Sequence, residues 1–142
     1  MTKEVAVAIS GTQSWNGEGA APVELCAAGQ YFQKNGKHYL LFEETGQGNS
    51  GVTRCRISLE EGRLTLTKRG AVAVQMVFEP GTVCRCHYST PFGSIPLEIT
   101  TRCVRLSGTK EQIEAEAGYV LCADCGEPAV CTIRVCVRPR RG

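Results

Sequence analysis

Through most of this chain, apolar side chains recur at every second position, and Gly or Pro interrupts the alternation about every ten residues. A period of two is a strand signature, because successive side chains leave a pleated backbone on opposite sides. Glu4 to Ser10 reads as a first strand, and Trp15 to Pro22 as a loop. Val23 to Lys34 and Lys37 to Glu44 flank Asn35-Gly36, the strongest hairpin signal in the sequence. After a Gly-rich loop from Thr45 to Gly51, Val52 to Leu59 places Thr53, Cys55, Ile57 and Leu59 on one face. Glu61-Gly62 turns into Arg63 to Arg69, where Leu64 and Leu66 face together. Val72, Val74, Met76 and Phe78 line the next strand, which Pro80-Gly81 ends. Val83 to Thr90, Ile95 to Leu106, Gln112 to Ala123 and Ala129 to Val137 complete the series, with turns at Pro91-Phe92-Gly93, Gly108 and Gly126.

Two segments compete for helix. Lys110 to Ala117 is rich in Glu and Ala, yet Ile113, Ala115, Ala117, Tyr119 and Leu121 keep a period of two and Gly118 interrupts. Val23 to Ala28 is similarly ambiguous. Strand is the reading for both. The fold class is therefore all-β: an antiparallel meander of about eight to ten strands, closed into a barrel to remove exposed edges. A chain of 142 residues makes one domain, 1–142, with a short basic tail at 138–142. That length buries about two-thirds of the unfolded surface, so the core needs no covalent staple.

Certain residues then look familiar. Tyr31, Gly36-Lys37-His38-Tyr39 and Glu43-Glu44 precede Leu66-Thr67-Lys68-Arg69-Gly70, Met76-Val77-Phe78 and Tyr88-Ser89-Thr90-Pro91-Phe92-Gly93. In that order and spacing the chain resembles the YwiB-like family of small bacterial proteins of unknown function, over roughly Val5 to Val137. The resemblance implies a calycin-like barrel, lipocalin-like in architecture, and brings no catalytic residue or cofactor with it. The departures are the cysteines between Cys122 and Cys136 and the tail Arg138-Pro139-Arg140-Arg141.

Nine cysteines are an odd number, and the N-terminus carries no apolar run of signal-peptide length. No segment approaches the ~20 apolar residues of a membrane span. The expectation is a cytoplasmic protein with reduced thiols that pack as small hydrophobes, and no membrane partner. Cys122-Ala123-Asp124-Cys125-Gly126 has the form of a zinc knuckle. The one metal alternative joins Cys122 and Cys125 to Cys84 and Cys86; the favoured reading is an ordinary turn with core thiols, no metal and no cofactor. Gly46-Gln47-Gly48-Asn49-Ser50-Gly51 matches a dinucleotide fingerprint literally, but a strand pattern follows where a helix is required.

Catalysis has few candidates: two histidines, His38 and His87, and one aspartate, Asp124. His87 diverges from its neighbour Cys86 on a strand, and His38 beside a hairpin turn is expected to be solvated. No serine carries an elbow motif, so the chain reads as a non-enzyme and hydrolysis is the weakest alternative. The favoured function is binding of a small molecule at a barrel mouth formed by Glu44, Arg69, Gln75, Tyr88 and Thr90, with Glu44 and Arg69 as a polar grip. The formal charge of +2 favours no polyanionic partner globally. Locally, Arg54, Arg56, Arg85, Arg102, Arg134 and Arg138 fall at outward positions. The second functional reading is an interaction module touching RNA or protein through Arg85, Arg102 and Arg134.

Overall fold

The computed structural model describes residues 3–15, 18–19, 23–45, 52–109, 112–124 and 126–140. Strands β1 (Lys3–Trp15), β2 (Glu18–Gly19), β3 (Val23–Lys34), β4 (Lys37–Thr45), β5 (Val52–Glu60) and β6 (Arg63–Gly70) come first. They are followed by β7 (Val74–Phe78), β8 (Val83–Thr90), β9 (Gly93–Gly108), β10 (Ile113–Ala123) and β11 (Ala129–Pro139). Among the described residues there is no helix, and none long and apolar enough to cross a membrane. In both segments where strand and helix competed, the described residues Val23–Lys34 and Ile113–Ala123 are strands.

The strand order is β7-β6-β5-β4-β3-β1-β11-β10-β9-β8, every pair antiparallel, with the two-residue β2 attached to β1 alone. The first long strand therefore pairs with the last, from Val5 opposite Pro139 to Ser14 opposite Val130. Both open edges fall mid-chain, at β7 and β8. They meet through one bridge, in which the Ala73 and Ser89 amides each donate to the other's carbonyl at 2.9 Å. The result is a nearly closed, calycin-like barrel of ten strands.

Alternation places the core. Cys55, Ile57 and Leu59 of β5 are 2%, 0% and 1% exposed, and inward residues of the other strands meet them. Leu40, Leu64, Phe78, Ile99 and Val135 fill the middle of the barrel, where Phe78 packs on the Tyr119 ring at 4.8 Å. The Asn35-Gly36 hairpin adopts left-handed φ angles of 53° and 78°, the twist such a two-residue turn requires. Two departures from the alternation have local causes. β1 continues past Ser10 to Trp15, because pairing with β11 holds the polar Gly11 to Ser14 extended. In β9 the inward parity changes between Thr101 and Val104, where a bulge leaves Arg102 without a partner in β10.

Candidate functional site

The barrel has two ends. The upper one holds the β8–β9 turn and the start of β5; the lower one holds the turns at 35–36 and 61–62 and the outer ends of β1 and β11. The expected mouth residues lie toward the upper end, and the structure separates them. Glu44 points inward, continuing the line of Leu40 and Phe42. Its partner is Lys68, with Nζ at 3.1 Å and 3.2 Å from the two carboxylate oxygens. Arg69 is exposed on the outer face, directly opposite Arg54. The expected Glu44–Arg69 grip is thus corrected by one residue, because Leu64 and Leu66 set an inward parity that falls on Lys68. Gln75 lies between the inward Val74 and Met76 and is exposed outside. Tyr88 is half-buried on the parity of Cys84 and Cys86. Thr90 is committed to its turn: its hydroxyl accepts from the Phe92 amide at 3.1 Å and donates to the Gly93 carbonyl at 3.1 Å.

Glu44, Lys68, Thr53 and Cys55 form a small polar cluster inside the upper end. Thr53 Oγ1 accepts from the Val72 amide at 3.2 Å. Burial first, and then the Glu44 carboxylate, push the Cys55 thiol up to about 12. Such a thiol stays protonated and is no nucleophile at neutral pH.

The lower end is more open. A cavity of about 410 Å³ is walled by Val5, Leu106, Ile113 and Val137, with Tyr31, Gln33 and His38 on one side and Lys3 at the rim. Tyr31 and His38 come from the two strands of the Asn35-Gly36 hairpin, both at inward positions. The Tyr31 hydroxyl lies 2.6 Å from His38 Nδ1, and the rings stack at 5.7 Å between centroids. Burial lowers the imidazole pKa and raises the phenol pKa, so both groups are held neutral at pH 7. His38 is therefore not a solvated turn residue. The signal for this pair was the hairpin itself, whose two-residue turn puts Tyr31, His38, Leu40 and Phe42 on one face.

The metal alternative is not assembled. Cys84 and Cys86 face inward on β8, whereas Cys122 sits at an outward position of β10, opposite Glu98, with Sγ 3.1 Å from the Gly126 carbonyl. A whole strand, β9, separates them. Cys125 and the Gly46-to-Gly51 loop lie outside the described residues. No group of three or more His, Cys, Asp or Glu among the described residues is arranged to hold a metal. Of the other thiols, Cys131 is buried, Cys103 and Cys136 are half-buried, and Cys26 is exposed.

The outward arginines also redistribute. Arg85 pairs with Glu98 at 3.3 Å and Arg134 with Glu116 at 3.0 Å. Arg102 sits at the β9 bulge, and β10 lies between it and Arg134. The expected cluster of Arg85, Arg102 and Arg134 does not form.

A family model for a domain of unknown function, DUF1934, matches residues 7–135. Among solved structures, the crystal structure of the ywiB protein from Bacillus subtilis is similar, with a TM-score of 0.84 at 18% identity, over 99% of this chain and 94% of that one. At that identity the likeness is one of fold. No curated protein matches the chain. The matched span begins at Val7 in the first long strand and ends at Val135 in the last, so it takes in the whole circuit of the barrel. The chain belongs to the DUF1934 family, as a YwiB-like β-barrel.

Proposed function

We propose that this chain is a cytoplasmic, non-enzymatic binding protein that takes a small amphiphilic molecule into the lower mouth of the barrel. The observation that carries the reading is the cavity of about 410 Å³ beside the Tyr31–His38 pair, within the size range of ligand pockets. Its walls are apolar on Val5, Leu106, Ile113 and Val137, and polar groups of Tyr31, Gln33 and His38 on one side and of Glu4, Ser107 and Arg138 on the other line the rest. Leu40, Leu64, Phe78, Ile99 and Val135 fill the middle of the barrel above it. The two histidines favour binding over catalysis. His38 is engaged with Tyr31, and His87 is exposed outside without a hydrogen-bonding carboxylate or thiol among the described residues.

The test is native mass spectrometry of the protein purified without added ligand, together with a thermal-shift screen of small amphiphiles. Binding should raise Tm for the wild type and not for Ile113→Trp, which fills the cavity from its wall. A crystal structure with only water in the mouth, together with no stabilising compound in the screen, overturns the reading.

A further inference from the structure

The outer surface of β4 to β7 carries a second feature, independent of the mouth. A shallow concavity of about 550 Å³ is lined by Tyr39, Arg54, Arg56, Thr67, Arg69 and Gln75, among others. Arg54 and Arg69 are directly opposed across β5 and β6, an arrangement that costs stability when nothing neutralises it. Arg56 is on the same face as Arg54, about 6.7 Å along the strand. All three are exposed, and none has a carboxylate partner among the described residues. Glu43 stands opposite Arg54 and makes no ion pair with it.

The other cations lining this concavity, Lys37 and Arg63, are matched. Lys37 reaches Glu60 at 3.8 Å, and Arg63 reaches Glu60 at 3.9 Å and Glu79 at 3.5 Å. Arg85 and Arg134 have their own glutamates. Lys3, Lys34, Arg102, Arg105, Arg138 and Arg140 also make no ion pair among the described residues, but Arg54, Arg56 and Arg69 share one concavity, and it adjoins an aromatic ladder. Phe32 stacks on Tyr39 at 4.9 Å with 13° between the rings, and the Arg56 guanidinium lies 5.0 Å over the Tyr39 ring. Tyr39 holds that guanidinium by a cation–π contact, which presents its outer face and its N–H edge to solvent.

We infer that this face binds a single-stranded nucleic acid, with phosphates at Arg54, Arg56 and Arg69 and a base on the Phe32–Tyr39–Arg56 ladder. Cations at alternate residues of a strand follow the separation of successive phosphodiesters in an extended chain. Planar groups beside them supply the stacking that distinguishes a nucleic acid from an acidic peptide.

The experiment is fluorescence anisotropy of a short labelled oligouridylate, titrated at several salt concentrations. Three phosphate contacts predict a log–log salt slope of about −2. Arg54→Glu with Arg69→Glu should weaken binding at least tenfold and flatten the slope. Arg85→Glu with Arg134→Glu, on other strands, should change affinity less than twofold. Tyr39→Ala should weaken binding about five- to tenfold with little change in slope. Each variant is checked for an unchanged circular dichroism spectrum. Ile113→Trp should bind the oligonucleotide as the wild type does, which separates this face from the mouth. Absence of binding at low salt overturns the proposal. So does equal loss in the two arginine pairs, or equal competition by polyglutamate at matched charge, which would make the face a general anion surface.

Discussion

Glu44 and Lys68 form an ion pair inside the barrel, from strands β4 and β6, with side chains only 25% and 19% exposed. Neither charge has full access to water, so removing one partner strands the other beside the Cys55 thiol. Lys68→Met is expected to destabilise the protein by about 1–3 kcal/mol, less than a fully buried pair would lose because solvent reaches both groups. Adding Glu44→Gln should recover part of the loss. Urea unfolding with an unchanged m-value checks both steps. Equal stability of the wild type and Lys68→Met would show that the pair contributes nothing.

Stability should fall in alkali. Burial and Glu44 push Cys55 up to about 12; burial and then Cys84 push Cys86 up to about 11. In the unfolded chain both thiols ionise near 9. Below that pH both states are protonated and the full stability is present. Between pH 9 and the folded values, only the unfolded state has lost its protons, so unfolding gains about 1.4 kcal/mol per pH unit for each thiol. Cys131 and Tyr119 shift in the same direction through burial. Thermal melts should show Tm falling above pH 9, less steeply in Cys55→Val with Cys86→Ala. A Tm that is level to pH 11 contradicts this.

Gly70 closes β6 with φ of +135°, and a Cβ there would collide with the Val52 carbonyl oxygen and crowd the Thr53 Cα at 3.0 Å. Gly70→Ala should cost about 2–3 kcal/mol, more than a glycine-to-alanine change in an ordinary strand. Denaturant midpoints of the variant measure the effect, and a midpoint equal to that of the wild type would remove it.

The seam should open first. β7 and β8 are joined by the single Ala73–Ser89 bridge, whereas β1 and β11 pair over ten positions. Amide hydrogen exchange is expected to be faster at Ala73 and Ser89 than at Val7, Ile133 or Val135 by at least tenfold. Uniform protection around the barrel would show that side-chain packing closes the seam as firmly as a ladder does.

The barrel was legible because its information is periodic. The residues Cys55, Ile57, Leu59, Cys131, Ile133 and Val135 announce an inner face without any partner strand being known. The zinc alternative was not legible in the same way, because whether Cys84 and Cys122 share a face depends on strands remote in sequence, and in the barrel they emerge on opposite sides of the sheet. What parity does not give is height along the barrel axis. Which cations and acids share a level depends on register between strands remote in sequence; the match of Glu44 to Arg69 also overlooked the Leu64–Leu66 parity, which turns Lys68 inward and Arg69 out. The lower mouth was missed for a related reason. His38 next to a turn looks solvated until the opposite wall of Leu106, Ile113 and Val137 is brought across it. The unmatched arginines required every glutamate to be assigned first, and those assignments are cross-strand contacts such as Arg134 with Glu116.

The pairing of β1 with β11 has a consequence for synthesis. During translation the described strand that would cover one edge of β1 is the last to leave the ribosome, so the ladder from Val5 to Ser14 stays half-made until Ala129 to Pro139 emerge. Until then β1 and β10 each present a bare edge that can recruit another nascent chain. A circular permutant joining residues 3 and 140, whose strands already meet where the Arg140 amide donates to the Glu4 carbonyl, would move the cut to the 79–82 turn. That chain would form the β1–β11 ladder midway through synthesis and leave only the one-bridge seam for last. Its yield of monomer from a cell-free translation should exceed that of the natural order.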